Sequence, residues 1–222
     1  MQLSMNLPIA FPKEAYAYGQ RSSGEVHGVV LTKPHVVELI LDLAGYSHDK
    51  DLAQMRLLEP ACGHGAFLVP AVGRLMKAAR AARVKPSKLA GCVQAFDINE
   101  EHVAISRAAI AEVLQQYGAS ESDATKLTQL DLAQPIDLAI DMGGYHSLPH
   151  DAKPVYVAQL ASLLRPGTPL LMWQGIGLKP GEISDAFSHD FVIEDSKRKD
   201  FVIKRKFFSR KVDGQWYWLR RR

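Results

Sequence analysis

The chain has 222 residues, enough for one hydrophobic core of ordinary size, and we expect an N-terminal extension over residues 1–23 followed by one domain over residues 24–222. Apolar residues make up 47% and charged residues 23%, as in a soluble globular protein. No apolar run reaches the roughly 18 residues that a membrane span needs, and no signal-peptide order is visible, so we expect a cytoplasmic protein. Cys62 and Cys92 are too few for a disulfide framework and are expected to be reduced core residues.

Positive charge is concentrated near the C-terminal end of the sequence. Residues 197–222 contain 11 Lys and Arg and two Asp, a net charge of +9, whereas the rest of the chain carries −6. Two interpretations are open at this point. The basic stretch is either a face for nucleic acid or another anionic substrate, or an edge strand that Lys and Arg protect against aggregation.

The first predicted helix covers His35–Ala44, where apolar residues recur with helical spacing. Pro34 suits its first turn, Thr32 or Lys33 can cap it, and Gly45 is expected to end it.

A predicted strand, a glycine turn and a helix then follow one another. Met55 to Leu58 indicate a buried strand, and Ala66 to Ala82 have the apolar spacing of a helix. Between them lie Gly63 and Gly65, which have no Cβ and can take positive φ values. This arrangement brings a nucleotide-like ligand close to the backbone.

A second predicted strand, Ala90 to Phe96, ends in Asp97, about 32 residues past Gly65. An acidic residue at the tip of the second strand is typical of sites that hold ribose hydroxyl groups. Dinucleotide sites have a third glycine and an acid about 20 residues on. Here Leu68 stands at the third glycine position and the acid comes later, so the pattern of a dinucleotide site is incomplete.

The segment Leu58–Leu68 (LEPACGHGAFL) resembles the cofactor motif of adenine-N6 DNA methyltransferases, Asp/Glu-Pro-Ala-Cys-Gly-Ser-Gly-Ala-Phe, and departs from it only at His64. The preceding Leu31–Pro34 is similar to a Thr-Pro stretch of the same enzymes. The resemblance implies S-adenosyl-L-methionine as cofactor and an α/β fold, a Rossmann-like seven-stranded class I methyltransferase sheet with helices on both faces. It implies cofactor contacts at Leu31, Thr32, Pro34, Glu59, Ala61, Gly63, Gly65, Phe67, Asp97, Ile98, Asp131, Leu132 and Asp141.

The third strand is predicted over Thr125–Leu130, after a helix over Asn99–Tyr117 capped by Asn99 and a loop over Gly118–Asp123. In class I methyltransferases an acid after this strand binds the adenine amino group, and the next residue supplies a backbone contact. The resemblance assigns these roles to Asp131 and Leu132. The alternative for Asp131 is a surface acid that caps a turn.

A fourth strand over Ile136–Ile140 leads into Asp141–Pro149, which departs from the adenine-N6 pattern. Those enzymes carry Asn/Asp-Pro-Pro-Tyr/Phe here, whereas this chain has Met-Gly-Gly between Asp141 and Tyr145. The stretch instead resembles small-molecule class I methyltransferases, as does Tyr156–Gly167. This resemblance places Asp141, Tyr145 and His146 at the acceptor site.

The roles of His146 and Tyr145 stay open in the sequence. The ordinary pKa of histidine suits a general base, but His146 can equally be a structural residue bonded to a loop carbonyl. Tyr145 either lies over the ligands or packs in the core.

The rest of the sequence predicts closing elements of the same sheet. The predicted strands and helix, with a hairpin signal at Val212–Gln215, are Pro169–Gln174, Pro180–Phe187 (helix), Phe191–Glu194, Phe201–Ser209 and Gln215–Arg221.

Three functions are consistent with these patterns, and none needs a metal, for which no ligand spacing is present. The first is methyl transfer to a small-molecule S, O or N acceptor, in which the protein mainly positions the reactants. The second is a nucleic-acid methyltransferase without the usual Asn-Pro-Pro-Tyr motif, using the basic C-terminal strands. The third is a non-catalytic module that keeps the fold. The oligomeric state is not predicted.

Overall fold

The computed structural model describes residues 34–97, 99–127, 135–174, 179–198, 201–204, 209–212 and 214–222. Its helices are α1 (Pro34–Leu43), α2 (Leu68–Ala81), α3 (Glu100–Gln116), α4 (Glu121–Leu127), α5 (Gly144–Ser147), α6 (Lys153–Leu163) and α7 (Glu182–Phe187). Its strands are β1 (Leu57–Glu59), β2 (Val93–Ala95), β3 (Leu138–Met142), β4 (Pro169–Gln174), β5 (Phe191–Arg198), β6 (Phe201–Lys204), β7 (Ser209–Val212) and β8 (Gln215–Arg221). None of the described helices is long and apolar enough to span a bilayer.

Six strands form one mixed sheet in the order β2-β1-β3-β4-β8-β5. The pairs β1–β2, β1–β3 and β3–β4 are parallel, and β8 runs antiparallel between β4 and β5. The strand order reverses direction at β1, because β2 lies on one side of it and β3 on the other. In open α/β sheets, ligands bind beyond the carboxyl ends of the strands at such a switch point.

Successive apolar residues of the strands pack in two different cores, one on each face of the sheet. Leu57 packs in a cluster with α1, α2 and α3, while the next residue, Leu58, packs in a second cluster with α6 and α7. This alternation follows from the two-residue period of a strand. The predicted helices on both faces are therefore present, and Cys62 and Cys92 are buried free thiols as expected.

The predicted seven-stranded sheet is not reproduced in the described residues, which form a six-stranded sheet and a separate β6–β7 pair. The strand predicted over Thr125–Leu130 is wrong at residues 125–127, which end α4, and its remaining residues lie outside the described ranges. α4 also begins inside the predicted loop Gly118–Asp123, where the Asp123 carboxylate accepts hydrogen bonds from the Ser120 N–H and hydroxyl.

Within the predicted strand Phe201–Ser209, residues 201–204 form β6, Ser209 begins β7, and residues 205–208 lie outside the described ranges. β6 and β7 pair with each other, with Phe201 opposite Val212. The hairpin predicted at Val212–Gln215 is also wrong, because Gln215 pairs with Arg198 and with Gln174. β7 therefore pairs with β6, whereas β8 lies in the main sheet.

Arg74 on α2 fixes α1 and the turn after it. Its guanidinium donates to the Glu38 carboxylate at 2.5 Å, to the Glu38 carbonyl at 3.0 Å and to the Tyr46 carbonyl at 2.9 Å. The Arg74 side chain is only 11% exposed, so these bonds are largely shielded from water. Gly45 ends α1 with φ +70°, as predicted.

We expect Arg74→Met to lower the free energy of unfolding by about 1–3 kcal/mol, because buried carbonyl and carboxylate acceptors lose their donor. Urea unfolding measures this change. The exposed Arg80→Met on the same helix is the control and is expected to change stability by about 0.5 kcal/mol or less. Equal losses in the two variants would contradict the anchoring role.

Candidate active site

The turn between β1 and α2 meets the residue that ends β2. Gly63 and Gly65 have φ values of +50° and +83°, which side chains disfavour. The Gly63 N–H donates to Asp97 Oδ2 at 2.8 Å, and the Gly65 N–H donates to the Cys62 carbonyl at 2.9 Å. A Cβ on Gly65 would lie 3.1 Å from the Ser106 Cβ, so glycine here lets the turn approach α3 closely.

Asp97 holds three segments together. Its Oδ2 accepts from Gly63, while its Oδ1 accepts from the Asn99 N–H at 2.9 Å and faces His102 Nδ1 at 3.2 Å. The side chain is 11% exposed. Because each carboxylate oxygen has two lone pairs, Oδ2 can accept one further hydrogen bond, such as one from a hydroxyl group.

His102 was not predicted from the sequence and belongs to this site. Asn99 caps α3 by accepting from the Glu101 N–H, which turns its amide nitrogen toward His102 Nε2 at 3.3 Å. That contact makes Nε2 an acceptor and leaves the Nδ1 proton for Asp97. The sequence signal was its position, since the third residue of a helix faces back toward the N-cap. His64, the departure from the family motif, packs edge-on against His102 with ring centres 4.7 Å apart.

Glu59 is the last residue of β1 and is only 3% exposed. Its Oε2 atom is buried and has no hydrogen-bond partner in the described part of the chain. Burial raises the Glu59 pKa well above its ordinary value, and the nearby Asp141 and Asp97 carboxylates raise it further. The ionised form of Glu59 is therefore disfavoured in this structure.

Asp141 is fully buried near the end of β3, and its contacts are internal. The carboxylate accepts from the Gly144 N–H at 2.5 Å, the Tyr145 N–H at 3.1 Å and the Tyr156 hydroxyl at 2.8 Å. Burial raises its pKa, and these three donors oppose the rise. Its role in this structure is to position α5.

The Gly143-Gly144 pair explains why the prolines of the adenine-N6 motif are missing. Gly143 has φ +98°, and a Cβ there would lie 2.6 Å from the His146 ring. A Cβ on Gly144 would lie 2.7 Å from the Ala61 Cβ. The turns after β1 and β3 therefore touch at the switch point, and glycines permit that contact.

The structure separates the two residues predicted beside Asp141. Tyr145 is 2% exposed and packs edge-on against Phe187 with ring centres 5.2 Å apart, as in the core-packing alternative, and a role of this residue toward a ligand stays a prediction. His146 is partly exposed and lies edge-on to Trp173 at 5.6 Å. Burial lowers the His146 pKa, and Asp141 and the Gln174 amide oppose that shift.

The remaining predicted cofactor contacts divide by position. Ala61 lies in the glycine turn, while Phe67 precedes α2 and is buried at 2% exposure. Pro34 is the first residue of α1. Leu31, Thr32, Ile98, Asp131 and Leu132 lie outside the described residues.

A separate cavity of about 510 Å³ lies between α6 and α7. Its lining includes Tyr145, His150 and Lys179, together with the Lys153–Glu182 ion pair at 2.6 Å.

Solved structures with the same architecture include proteins of very different sequence. A protein of Pyrococcus horikoshii described as an RNA methyltransferase matches with a TM-score of 0.56 and 10% identity, over 94% of this chain and 95% of that one. Magnesium protoporphyrin IX methyltransferase (ChlM) from Synechocystis PCC 6803, solved with bound SAM, gives a TM-score of 0.51 and 18% identity over 83% of this chain and 78% of that one. This chain has the class I methyltransferase fold.

Curated relatives of this chain are longer proteins. The Type II methyltransferase M.PaeR7I from Pseudomonas aeruginosa is 38% identical over 113 residues, which are 50% of this chain and 20% of that protein. M.BstVI from Geobacillus stearothermophilus is 38% identical over 105 residues, 46% of this chain and 19% of that protein. The chain thus spans about a fifth of the length of the relatives it matches. No protein-family model matches it.

We expect Asp97→Asn to destabilise the fold, because both carboxylate oxygens face N–H donors and an amide would present its own NH₂ to one of them. The predicted loss in unfolding free energy is about 1–3 kcal/mol, measured by urea denaturation.

The control for that substitution is Asp123→Asn, which changes a carboxylate that also accepts a backbone hydrogen bond but lies in the exposed first turn of α4. This turn is exposed, so we expect a loss of about 0.5–1 kcal/mol. Equal stability of Asp97→Asn and the unaltered chain would contradict the role of Asp97 as the junction of the three segments.

Proposed function

We propose that this chain is an S-adenosyl-L-methionine-dependent methyltransferase domain that acts on a small-molecule S, O or N acceptor. The proposal is carried by the glycine turn at the switch point of the sheet, with Asp97 hydrogen-bonded to it and with a buried Glu59 Oε2 atom that has no hydrogen-bond partner in the described residues. It is supported by the 38% identity to a Type II methyltransferase and by the fold shared with ChlM.

The residues around the turn fit this cofactor. The free acceptor position on Asp97 Oδ2 suits a ribose hydroxyl, and the buried Glu59 oxygen suits a cationic group. When bound, the cofactor supplies an activated methyl group, so the protein needs to position the acceptor and, where that acceptor carries a proton, to remove it.

His146 is the residue that suits proton removal. It follows β3 at the carboxyl edge of the sheet and stays partly exposed. Because burial lowers its pKa, the imidazole is neutral near pH 7 and can accept a proton. The burial of Tyr145 also favours a small acceptor, since this ring is not free to stack on a flipped base.

We expect the chain to bind S-adenosylhomocysteine in calorimetry, and His146→Gln to lower kcat about 100-fold or more with little change in that binding. The rate of the unaltered protein is expected to fall as the pH drops through the lowered His146 pKa, where the base becomes protonated. Methyl transfer from labelled cofactor, screened over thiol, phenol and amine acceptors, measures this.

The control is His48→Gln, which changes an exposed histidine far from the acceptor side. A chain that binds no cofactor would contradict the proposed function. Binding with an unaltered kcat in His146→Gln would contradict only the role of His146.

A nucleic-acid acceptor is the second candidate, and the position of the β6–β7 pair favours it. Arg198 at the end of β5 pairs with Gln215, which pairs with Gln174 at the end of β4. The β6–β7 pair therefore continues from the carboxyl edge of the sheet, where the glycine turn also lies. It carries Lys204, Arg210 and Lys211, and the curated relatives are Type II methyltransferases.

If this candidate holds, the triple variant Lys204→Glu, Arg210→Glu and Lys211→Glu will weaken duplex DNA binding. The slope of log affinity against log salt concentration will become shallower by about 0.9 for each phosphate that the variant no longer neutralises. Fluorescence anisotropy between about 50 and 200 mM salt measures both effects.

A charge-matched control is Arg83→Glu, Lys85→Glu and Lys88→Glu, three exposed residues before β2 at the opposite edge of the sheet. Equal weakening in both triple variants, or no salt-dependent binding by the unaltered chain, would reject the nucleic-acid candidate.

A further inference from the structure

Two buried acids, Glu59 and Asp141, and the largely shielded Asp97 interact near the glycine turn, and no Lys or Arg of the described residues is paired with Glu59. Glu59 ends β1, Asp97 follows β2 and Asp141 lies in β3. Glu59 and Asp141 are 3% and 0% exposed. No Lys or Arg in the described ranges forms an ion pair with Glu59, and its Oε2 atom lacks any hydrogen-bond partner there.

The three carboxyl groups are not equivalent. Asp141 accepts three hydrogen bonds, which oppose the rise that burial causes in its pKa, and Asp97 accepts two from backbone N–H groups. Glu59 has no such donor at Oε2 and feels both negative neighbours. An unpaired buried charge is strongly unfavourable, and a group in that position takes up a proton instead. In the free protein, the proton of this cluster therefore resides on Glu59.

A positively charged ligand would offset the negative charge of these acids. A cation near a carboxyl group favours its ionised form. The proposed cofactor carries two positive groups, an ammonium and a sulfonium, whereas its demethylated product keeps only the ammonium. A ligand cation at the end of β1 would thus replace the proton that Glu59 holds.

We infer that Glu59 is the charge-selecting residue of this site: it is protonated in the free protein and releases that proton to solvent when the cationic cofactor binds. This inference rests on the proposed function. The negative charge at Glu59 is then balanced by two positive groups in S-adenosylmethionine but only by the ammonium in the product, so the site prefers the sulfonium to the neutral thioether.

Other titratable groups lie around Glu59 and bear on the pH dependence of cofactor binding. Burial raises the pKa of Cys62 to about 12, and that of Tyr156 well above its ordinary value, so neither titrates near neutral pH. The groups that face the acids from the surrounding elements are Asp97, Asp141, Cys62, His102 on α3, His146 on α5 and Tyr156 on α6.

Calorimetry in two buffers of different ionisation enthalpy counts the protons released on binding. At about pH 6.5, we expect the unaltered chain to release close to one proton with S-adenosylmethionine and less with S-adenosylhomocysteine. Between about pH 5.5 and 7.5 the Kd for S-adenosylmethionine is expected to fall by up to tenfold per pH unit. This range stays below the pKa of about 7.7–8.0 of an α-amino group.

The test variant is Glu59→Gln, which keeps the shape of the side chain and has no proton to release. We expect it to bind with no proton release, a flat pH profile and a reduced preference for S-adenosylmethionine over S-adenosylhomocysteine. His146→Gln is the matched control, because it removes a titratable side chain close to Asp141 and leaves Glu59 unchanged, so proton release is expected to persist. Persistent release in Glu59→Gln would overturn the inference.

A readout on the unaltered protein covers the case in which Glu59→Gln does not fold. In infrared difference spectra, one protonated-carboxyl band is expected to disappear when S-adenosylmethionine is added. If both ligands bind, every such band is unchanged and no proton is released, the inference about Glu59 is overturned but the proposed function is not. Failure to bind either ligand would instead contradict the proposed function.

Discussion

The hydrogen bond from the Gly63 N–H to the Asp97 carboxylate is the interaction on which the rest of the site depends. It joins the turn after β1 to the end of β2, and the same carboxylate holds the start of α3 through Asn99 and His102. On the other side of β1, the contact between Ala61 and Gly144 brings in the turn after β3. These contacts gather three strand ends at the switch point, where open α/β sheets bind their ligands.

That closeness has an electrostatic consequence. Strand ends that meet also bring their acids together, and the burial of Glu59 and Asp141 leaves little water to screen them. The fold stabilises Asp141 with three donors and leaves Glu59 without one at Oε2. An arrangement of acids that is unfavourable in the free protein would be favourable for a cation, which is why we propose that the glycine turn and the acids form one binding site.

The parts of this site that the sequence could predict are those set by local patterns. The strand–glycine–helix order, the Asn99 cap of α3 and the strand Pro169–Gln174 each follow from a few neighbouring residues. The strand predicted at Thr125–Leu130 failed because a short apolar run does not distinguish a strand from a helix, and residues 125–127 are helical. The Asp-Gly pair at residues 213 and 214 was locally plausible as a hairpin, but strand pairing over longer distances decided the topology.

The roles of single side chains were harder to predict, because they depend on contacts distant in sequence. Tyr145 is buried by Phe187, 42 residues later, and Gly144 is needed because of Ala61. The residues next to Tyr145 and Gly144 in the sequence do not indicate either contact. The same holds for the acid cluster, whose members are far apart in the chain and close only in the folded sheet.

The most direct test of the account is a crystal structure of this chain with S-adenosylhomocysteine. We predict the ligand over the carboxyl ends of β1 and β3, with its ribose hydroxyls bonded to Asp97 and its amino group on the side of Glu59. A ligand bound elsewhere, or a site in which the Asp97 and Glu59 carboxyl groups do not touch it, would contradict the account.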